Sequence, residues 1–360
     1  MRRSTRWLVL VVAVVLAAAA CTGGSGSPTP SGEPTGSPVA SPTSASPDAT
    51  LGGTLTVYAG RSEELVGPLI ERFQAATGIE VRVNYAGTTD LAATLLEEGP
   101  ASPADVFFAQ DAGALGAVGA EGLLATLAPT TLEAVDGRFT AADGTWVGLS
   151  GRARVVVYDT RTLEASELPT SIDAFTDPAW KGRIGWAPTN ASFQSFVTAY
   201  RVMRGDDAAR TWLQGIQANE PNVYDGNDAV LAAVAAGEVE LGFVNHYYLL
   251  RQLAEQGDSY PVRNHFLAGD DPGSLINVAG AAILETAPNP AAARAFVDFL
   301  LTTESQRYFA TETHEYPLID GVEADPELPP LADIDSPDID LSDLADLAGT
   351  LRLLQDAGVL

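Results

Sequence analysis

The pattern of apolar and polar positions changes period along the chain. Thr54 to Ala59 (TLTVYA) alternates between two faces and is rich in β-formers, which predicts a strand. From Glu63 to Thr77 the apolar residues Leu65, Leu69, Ile70 and Phe73 recur at helical spacing, and Gly78 is a helix stop. Ile79 to Tyr85 reads as a strand again. Thr88, Thr89 and Asp90 then open a helix that runs to Glu98. Asp105 to Ala109 (DVFFA) is an apolar run of the kind buried on both faces. This β-α-β-α-β order implies a parallel sheet covered by helices on both sides.

Two long strand patterns follow, Trp146–Tyr158 and Leu275–Leu284, and they enclose a second α/β unit. That unit has a strand near Arg183–Ala187 and helices at Ser192–Arg204, Asp207–Asn219 and Ala229–Ala236. A strand at Val239–Val244 and a helix from Tyr247 complete it. Pro290–Leu301 and Glu304–Ala310 add two helices, and Leu347–Gln355 a last one after a Pro- and Asp-rich tract. There is no internal repeat. The expected architecture is α/β with two lobes, 53–148 with 276–310 and 149–275 with 311–360, joined by two crossing strands around a central cleft. Ligands of open α/β sheets bind beyond the carboxyl ends of the strands, so residues just after strands are the first site candidates.

The N-terminus has a different character. Arginines precede a short apolar run, Leu8 to Ala20, and Cys21 follows directly. A basic start, a short apolar stretch and small residues make a secretory signal over 1–20, too short to span a bilayer comfortably. Small residues before a Cys resemble a lipobox, with Ala18 where Leu is usual. Lipidation at Cys21 is therefore expected. Residues 21–52 are Gly, Ser, Thr and Pro with few apolar side chains, a flexible tether to the outer face of the cell membrane.

Composition narrows the function. The 360 residues are 46% hydrophobic and carry a formal net charge of −27. Nucleic acid and direct binding to an anionic bilayer are excluded, because both need Lys and Arg. Such acidity suits a protein that gathers cations, and it also serves solubility alone. A single cysteine rules out an intramolecular disulfide and any multi-thiolate metal site. The sequence has no GxSxG elbow, Walker A loop or HExxH helix. His246, His265 and His314 are not spaced as a zinc site or triad. The protein is therefore expected to be a binding protein and not an enzyme.

Two clusters carry candidate chemistry. Asn245-His246-Tyr247-Tyr248 stands where a strand gives way to a helix, so both phenols can face one cleft. They are either cleft aromatics or hard-oxygen metal ligands, since a trivalent cation strongly lowers the pKa of a ligating group. Pro188-Thr189-Asn190-Ala191-Ser192-Phe193 opens a helix after a strand. That is either an ordinary N-cap or an anion site at the positive end of the helix. Thr88-Thr89-Asp90 is a similar start. Arg61, Arg152 and Arg154 can meet an anion or form interlobe salt bridges.

From about Thr54 to Pro317 the chain resembles the periplasmic ferric-binding proteins, the iron(III) components of ABC importers. LTVYAGRSEE, SPADVFFAQDAGAL, WVGLSGRARVVVYDT, DPAWKGRIGWAPTN, FVNHYYLL, GSLINVAGAAIL and HEYPLIDGV carry the likeness in the family's order. The resemblance implies a type II periplasmic-binding-protein fold that closes on its ligand. It implies Tyr247 and Tyr248 as ligands of Fe(III). A synergistic phosphate or carbonate would be held by Asn190, Ala191, Ser192, Asn227 and Asn245. Many members carry a His where this chain has Ser62 and a Glu where it has Gln110. Arg61, Ser62, Thr89, Gln110 and Arg152 are then expected around the cleft as supporting or anion contacts. The implied partners are an ABC permease and its ATPase, with the binding protein itself a monomer. The alternative is a metal-independent binder of a small organic phosphate or phosphonate. The acidic tail is expected to wrap the second lobe, or else to dock the permease.

Overall fold

The computed structural model describes residues 53–267, 269–334 and 336–360. The expected signal peptide, Cys21 and the tether lie outside them.

In the first lobe, β1 (Thr54–Ala59) lies between β2 (Glu80–Tyr85) and β3 (Val106–Ala109) and runs parallel to both. The crossovers are α1 (Glu63–Thr77) and α2 (Thr88–Glu98). The helical stripe of α1 is buried as its spacing predicts. Gly78 ends the helix at φ 72, and its N–H donates to the Gln74 carbonyl. After β3 comes α3 (Ala112–Ala120), which the sequence reading did not contain. Its residues AGALGAVGA are small and apolar on every side, so no helical period shows. The helix is covered on more than one face, which removes the need for a polar one. A short α4 (Pro129–Leu132) leads on to β4 (Val147–Asp159), whose 13 residues are all buried.

The second lobe contains β5 (Ile184–Trp186), α5 (Ala191–Arg204), α6 (Asp206–Ala218), β6 (Asn222–Val223), α7 (Asn227–Ala236), β7 (Leu241–Asn245), α8 (Tyr247–Gln256) and β8 (Val262–His265). The chain then returns through β9 (Ile276–Ile283), α9 (Pro290–Leu300), α10 (Thr303–Thr311) and β10 (Tyr316–Pro317). The strands run in the order β2-β1-β3-β9-β4-β7-β5-β6, with β8 and β10 also paired to β4. The molecule has two lobes, and β4 passes between them. Its first part, to Ala153, pairs with β9 and β10; from Arg154 it pairs with β7 and β8. Leu275, just before β9, accepts a 2.9 Å hydrogen bond from Arg154 N. The returning chain therefore crosses beside β4.

There are two apolar clusters: the first takes in the first lobe and also α7 and the start of α8, and the second lies within the second lobe. The second is aromatic: Trp186, Phe193, Phe196, Tyr200, Trp212 and Phe243 share it. The tail departs from the expectation that it wraps the second lobe, because it touches both. Leu341 and Leu344, in a turn at Leu341–Ala345, join the first cluster. Leu353 and Leu354 of α11 (Leu347–Asp356) join the second. The physical reason lies in α3 and α5, which stand side by side and leave one apolar seam for both parts of the tail. No helix among the described residues is long and apolar enough to cross a membrane.

Candidate functional site

Tyr247 and Tyr248 begin α8 directly after β7, with only His246 between. Their rings stack with centroids 4.2 Å apart and planes 27° apart. Tyr247 is fully buried, and its hydroxyl has no hydrogen-bond partner among the described residues. A buried, unpaired polar atom is costly in a finished core. It fits a site built for something else to occupy.

Buried charge surrounds these phenols. Arg61, in the turn after β1, reaches from the first lobe and puts its guanidinium carbon 5.9 Å from the Tyr247 ring centroid. Its Nη2 lies 2.9 and 2.8 Å from the two carboxylate oxygens of Glu315. Arg152 Nε is 4.0 Å from the same carboxylate, and its Nη2 donates to Val278 O at 3.1 Å. Arg154 donates to Phe243 O and lies over the rings of Phe193 and Phe196. Burial pushes the Tyr247 phenol well above its ordinary value, and neighbouring Tyr248 pushes the same way. Arg61 and Arg152 pull it back down.

His246 is not free to bind anything. Ala153 N donates to its Nδ1 at 3.1 Å, so the proton sits on Nε2, which donates to His314 O at 2.9 Å. Burial pushes its pKa down to about 4. His265 and His314 are likewise engaged, with Pro169 O and Asp325.

A cavity of about 520 Å³ opens onto the tyrosines. Arg61, Ser62, Gln110, Tyr247, Tyr248 and Arg251 line it, with Glu64 and Asp228 beside Arg251. The structure thus brings Arg61, Ser62 and Gln110 to the tyrosines. Arg152 stands behind, in the buried charge cluster. Thr89 does not line the cavity; it donates across the lobes to Gln194 Oε1 at 2.9 Å. Among the five residues expected around an anion, three meet. Asn190 Oδ1 accepts from Ser192 N at 3.0 Å and Ser192 Oγ at 2.6 Å, and Asn227 Nδ2 donates to Ser192 Oγ at 3.1 Å. Ala191 opens α5 beside them, and Asn245 closes β7 two residues before Tyr247. Asn227 Oδ1 and Asn245 Nδ2 have no partner among the described residues. None of the five lines the tyrosine cavity itself.

Sequence reasoning missed Glu315 and Arg251. Arg251 had a signal: it is four residues after Tyr247, on the same face of α8. Glu315 had none short of a tertiary fold. No group of three or more His, Cys, Asp or Glu side chains among the described residues could hold a metal ion.

A bacterial extracellular solute-binding protein family model matches residues 68–334. The major ferric iron-binding protein of Neisseria meningitidis is 38% identical over 309 residues, covering 85% of this chain and 93% of that one. The chain belongs to the ferric-iron-binding family of extracellular solute-binding proteins. The structure of iron-bound HitA from Pseudomonas aeruginosa superposes on this family member with TM-score 0.81 at 35% identity, covering 85% of this chain and 99% of that one. AfuA from Actinobacillus pleuropneumoniae, with fructose-6-phosphate bound, has TM-score 0.73 at 18% identity, covering 84% of this chain and 97% of that one, a likeness of fold alone. The ferric-binding relatives are solute-binding proteins and not enzymes, and so is this chain.

Proposed function

We propose that this protein is the binding lipoprotein of an ABC importer, held at the outer face of the membrane by lipidated Cys21. It takes Fe(III) as cargo on Tyr247 and Tyr248 and hands it to a permease and its ATPase. The observation that carries this reading is the stacked tyrosine pair opening α8, with the Tyr247 hydroxyl buried and unpartnered. A phenol with a raised pKa is a poor ligand to weak cations but gives up its proton to a trivalent one. Arg61 and Arg152 lower the cost of the resulting negative charge. Ser62 and Gln110 add neutral donors and acceptors to the wall. A phosphate or carbonate completes the site, held by Asn190, Ala191, Ser192, Asn227 and Asn245; the unpartnered Asn245 Nδ2 is the free donor among them. The lobes, 53–148 with 276–310 and 149–275 with 311–360, close on the cargo, and the protein acts as a monomer.

The test is a visible absorption titration of the purified protein with ferric citrate, in bicarbonate and then in phosphate. A broad phenolate-to-iron band is expected, and its dependence on buffer names the anion. No band, together with thermal stabilisation by a small organic phosphate without metal, would turn the assignment to the phosphate reading.

A further inference from the structure

Arg61 reaches Tyr247 from the first lobe, and what holds it there comes from far along the chain. Glu315, 254 positions later, takes the Arg61 Nη2 on both oxygens. That carboxylate is fully buried and is itself fixed by Ser150 Oγ and Thr313 Oγ1, each 3.1 Å from Oε2. Arg152 Nε is 4.0 Å from Oε1. One buried carboxylate thus faces two buried guanidiniums. Arg61 Nε and Nη1 have no partner among the described residues, so Glu315 is the group that fixes the Arg61 head. Tyr248 and neutral His246 also face Tyr247, and Arg251, with Glu64 and Asp228 beside it, lines the same cavity. A cation about 6 Å from a ring centroid acts on its π electrons, and burial keeps that field from being screened.

We propose that Glu315 is a positioning residue of the iron site. It holds the Arg61 guanidinium over the Tyr247 ring, and its own charge sets how much positive field that ring feels. The inference rests on Tyr247 being an iron ligand. It then has a spectroscopic consequence with a sign. The colour of iron-bound phenolate arises when an electron moves from ring to metal. Positive charge closer to the ring than to the metal holds the ring electrons and raises the transition energy. Negative charge at the same place lowers it.

The experiment compares the absorption maximum of the iron-loaded full chain with those of the R61Q, R61K and E315Q variants, each checked for folding by its melting temperature. Losing the Arg61 charge moves the R61Q band to longer wavelength. E315Q keeps an amide oxygen that accepts from Arg61 Nη2 and loses the charge, so Arg61 stays in place undamped and the band moves to shorter wavelength. R61K keeps the charge and stays near the wild-type position. Should E315Q not fold, S150A strips a hydroxyl donor from the carboxylate, leaves its negative charge less shared, and shifts the band to longer wavelength. A Glu315 that only anchors Arg61, with its charge unfelt at the ring, predicts that the E315Q band stays at the wild-type position or shifts with R61Q. Either result, or an R61Q band that stays in place, overturns the proposal and leaves the ferric assignment intact. Absence of the band in the wild-type protein overturns both.

Discussion

Ser195 of the second lobe donates a 2.6 Å hydrogen bond to Asp111 Oδ1 of the first. The same oxygen accepts from Ala114 N at 3.0 Å and caps α3, while Oδ2 has no partner among the described residues. Burial raises the Asp111 pKa, against the pull of these donors and of Arg152. A carboxyl with a raised folded pKa stabilises the fold most below its unfolded pKa, about 3.9, and loses that contribution as pH rises through the folded value. D111N is therefore expected to gain stability relative to wild type as pH rises above about 4. Denaturant midpoints across that range check it, and a difference that does not vary with pH would refute it. S195A leaves the carboxyl short of a partner and is expected to cost about 1–2 kcal/mol.

Tyr247 separates function from stability. Its hydroxyl is buried without a partner among the described residues, so Y247F removes an unsatisfied group and keeps the ring. Thermal unfolding of metal-free Y247F should match wild type or exceed it, by up to about 1 kcal/mol. The iron band of the same variant should weaken, and that of the Y247F/Y248F double variant should be lost. A large loss of stability would show that the hydroxyl has a structural partner.

Iron affinity should rise with pH. The Tyr247 pKa lies well above 10, so the phenol is protonated throughout pH 6–8. Its ligation then releases a full proton, and this group alone contributes about one log unit of apparent affinity per pH unit. Competition against a chelator of known pH dependence measures the slope. A slope near zero would remove Tyr247 from the ligand set.

His246 has the opposite linkage to Asp111. Burial holds it neutral, with a folded pKa of about 4 against an ordinary 6.5. The unfolded chain takes up this proton first as pH falls. Stability is thus unaffected above about pH 6.5 and is lost between there and about pH 4, at up to roughly 1.4 kcal/mol per pH unit. Between about pH 6.5 and pH 4 the unfolding free energy of metal-free H246Q should fall less steeply than that of wild type. An unchanged acid slope in H246Q would assign the loss to other groups.

These residues also show how far the sequence could be read. The strands at Thr54–Ala59 and Leu241–Asn245 and the helix at Glu63–Thr77 were visible because each buries one face or a continuous apolar run. The tyrosine pair was visible because it stands at a strand-to-helix junction. α3 was hidden, since Ala, Gly, Leu and Val packed on more than one side leave no period. Arg61 was legible as a cleft residue, but its partner was not. The Arg61–Glu315 pair spans 254 positions and exists only once β10 lies against β4. Thr89 looked like a helix start near the ligand and instead bonds Gln194 across the lobes.

The tail changes the mechanics of the cleft. Two bodies joined along one line of crossing strands keep a free rotation about it. The tail adds a further attachment away from that line: Leu344 and Ala345 rest on α3, and Thr350 meets Thr198 on α5 at 2.7 Å. Only Asp346 separates the turn that grips one lobe from the helix that grips the other. Such a link is short, so any change in the angle between the lobes would have to be taken up at one of its ends. The α3 end is faced with Gly113 and Gly116, where an added Cβ would come within 2.9 Å of Leu344 O and Ala345 Cβ. Bare backbone there lets the tail lie directly on α3, and a methyl group at either glycine would push the two apart.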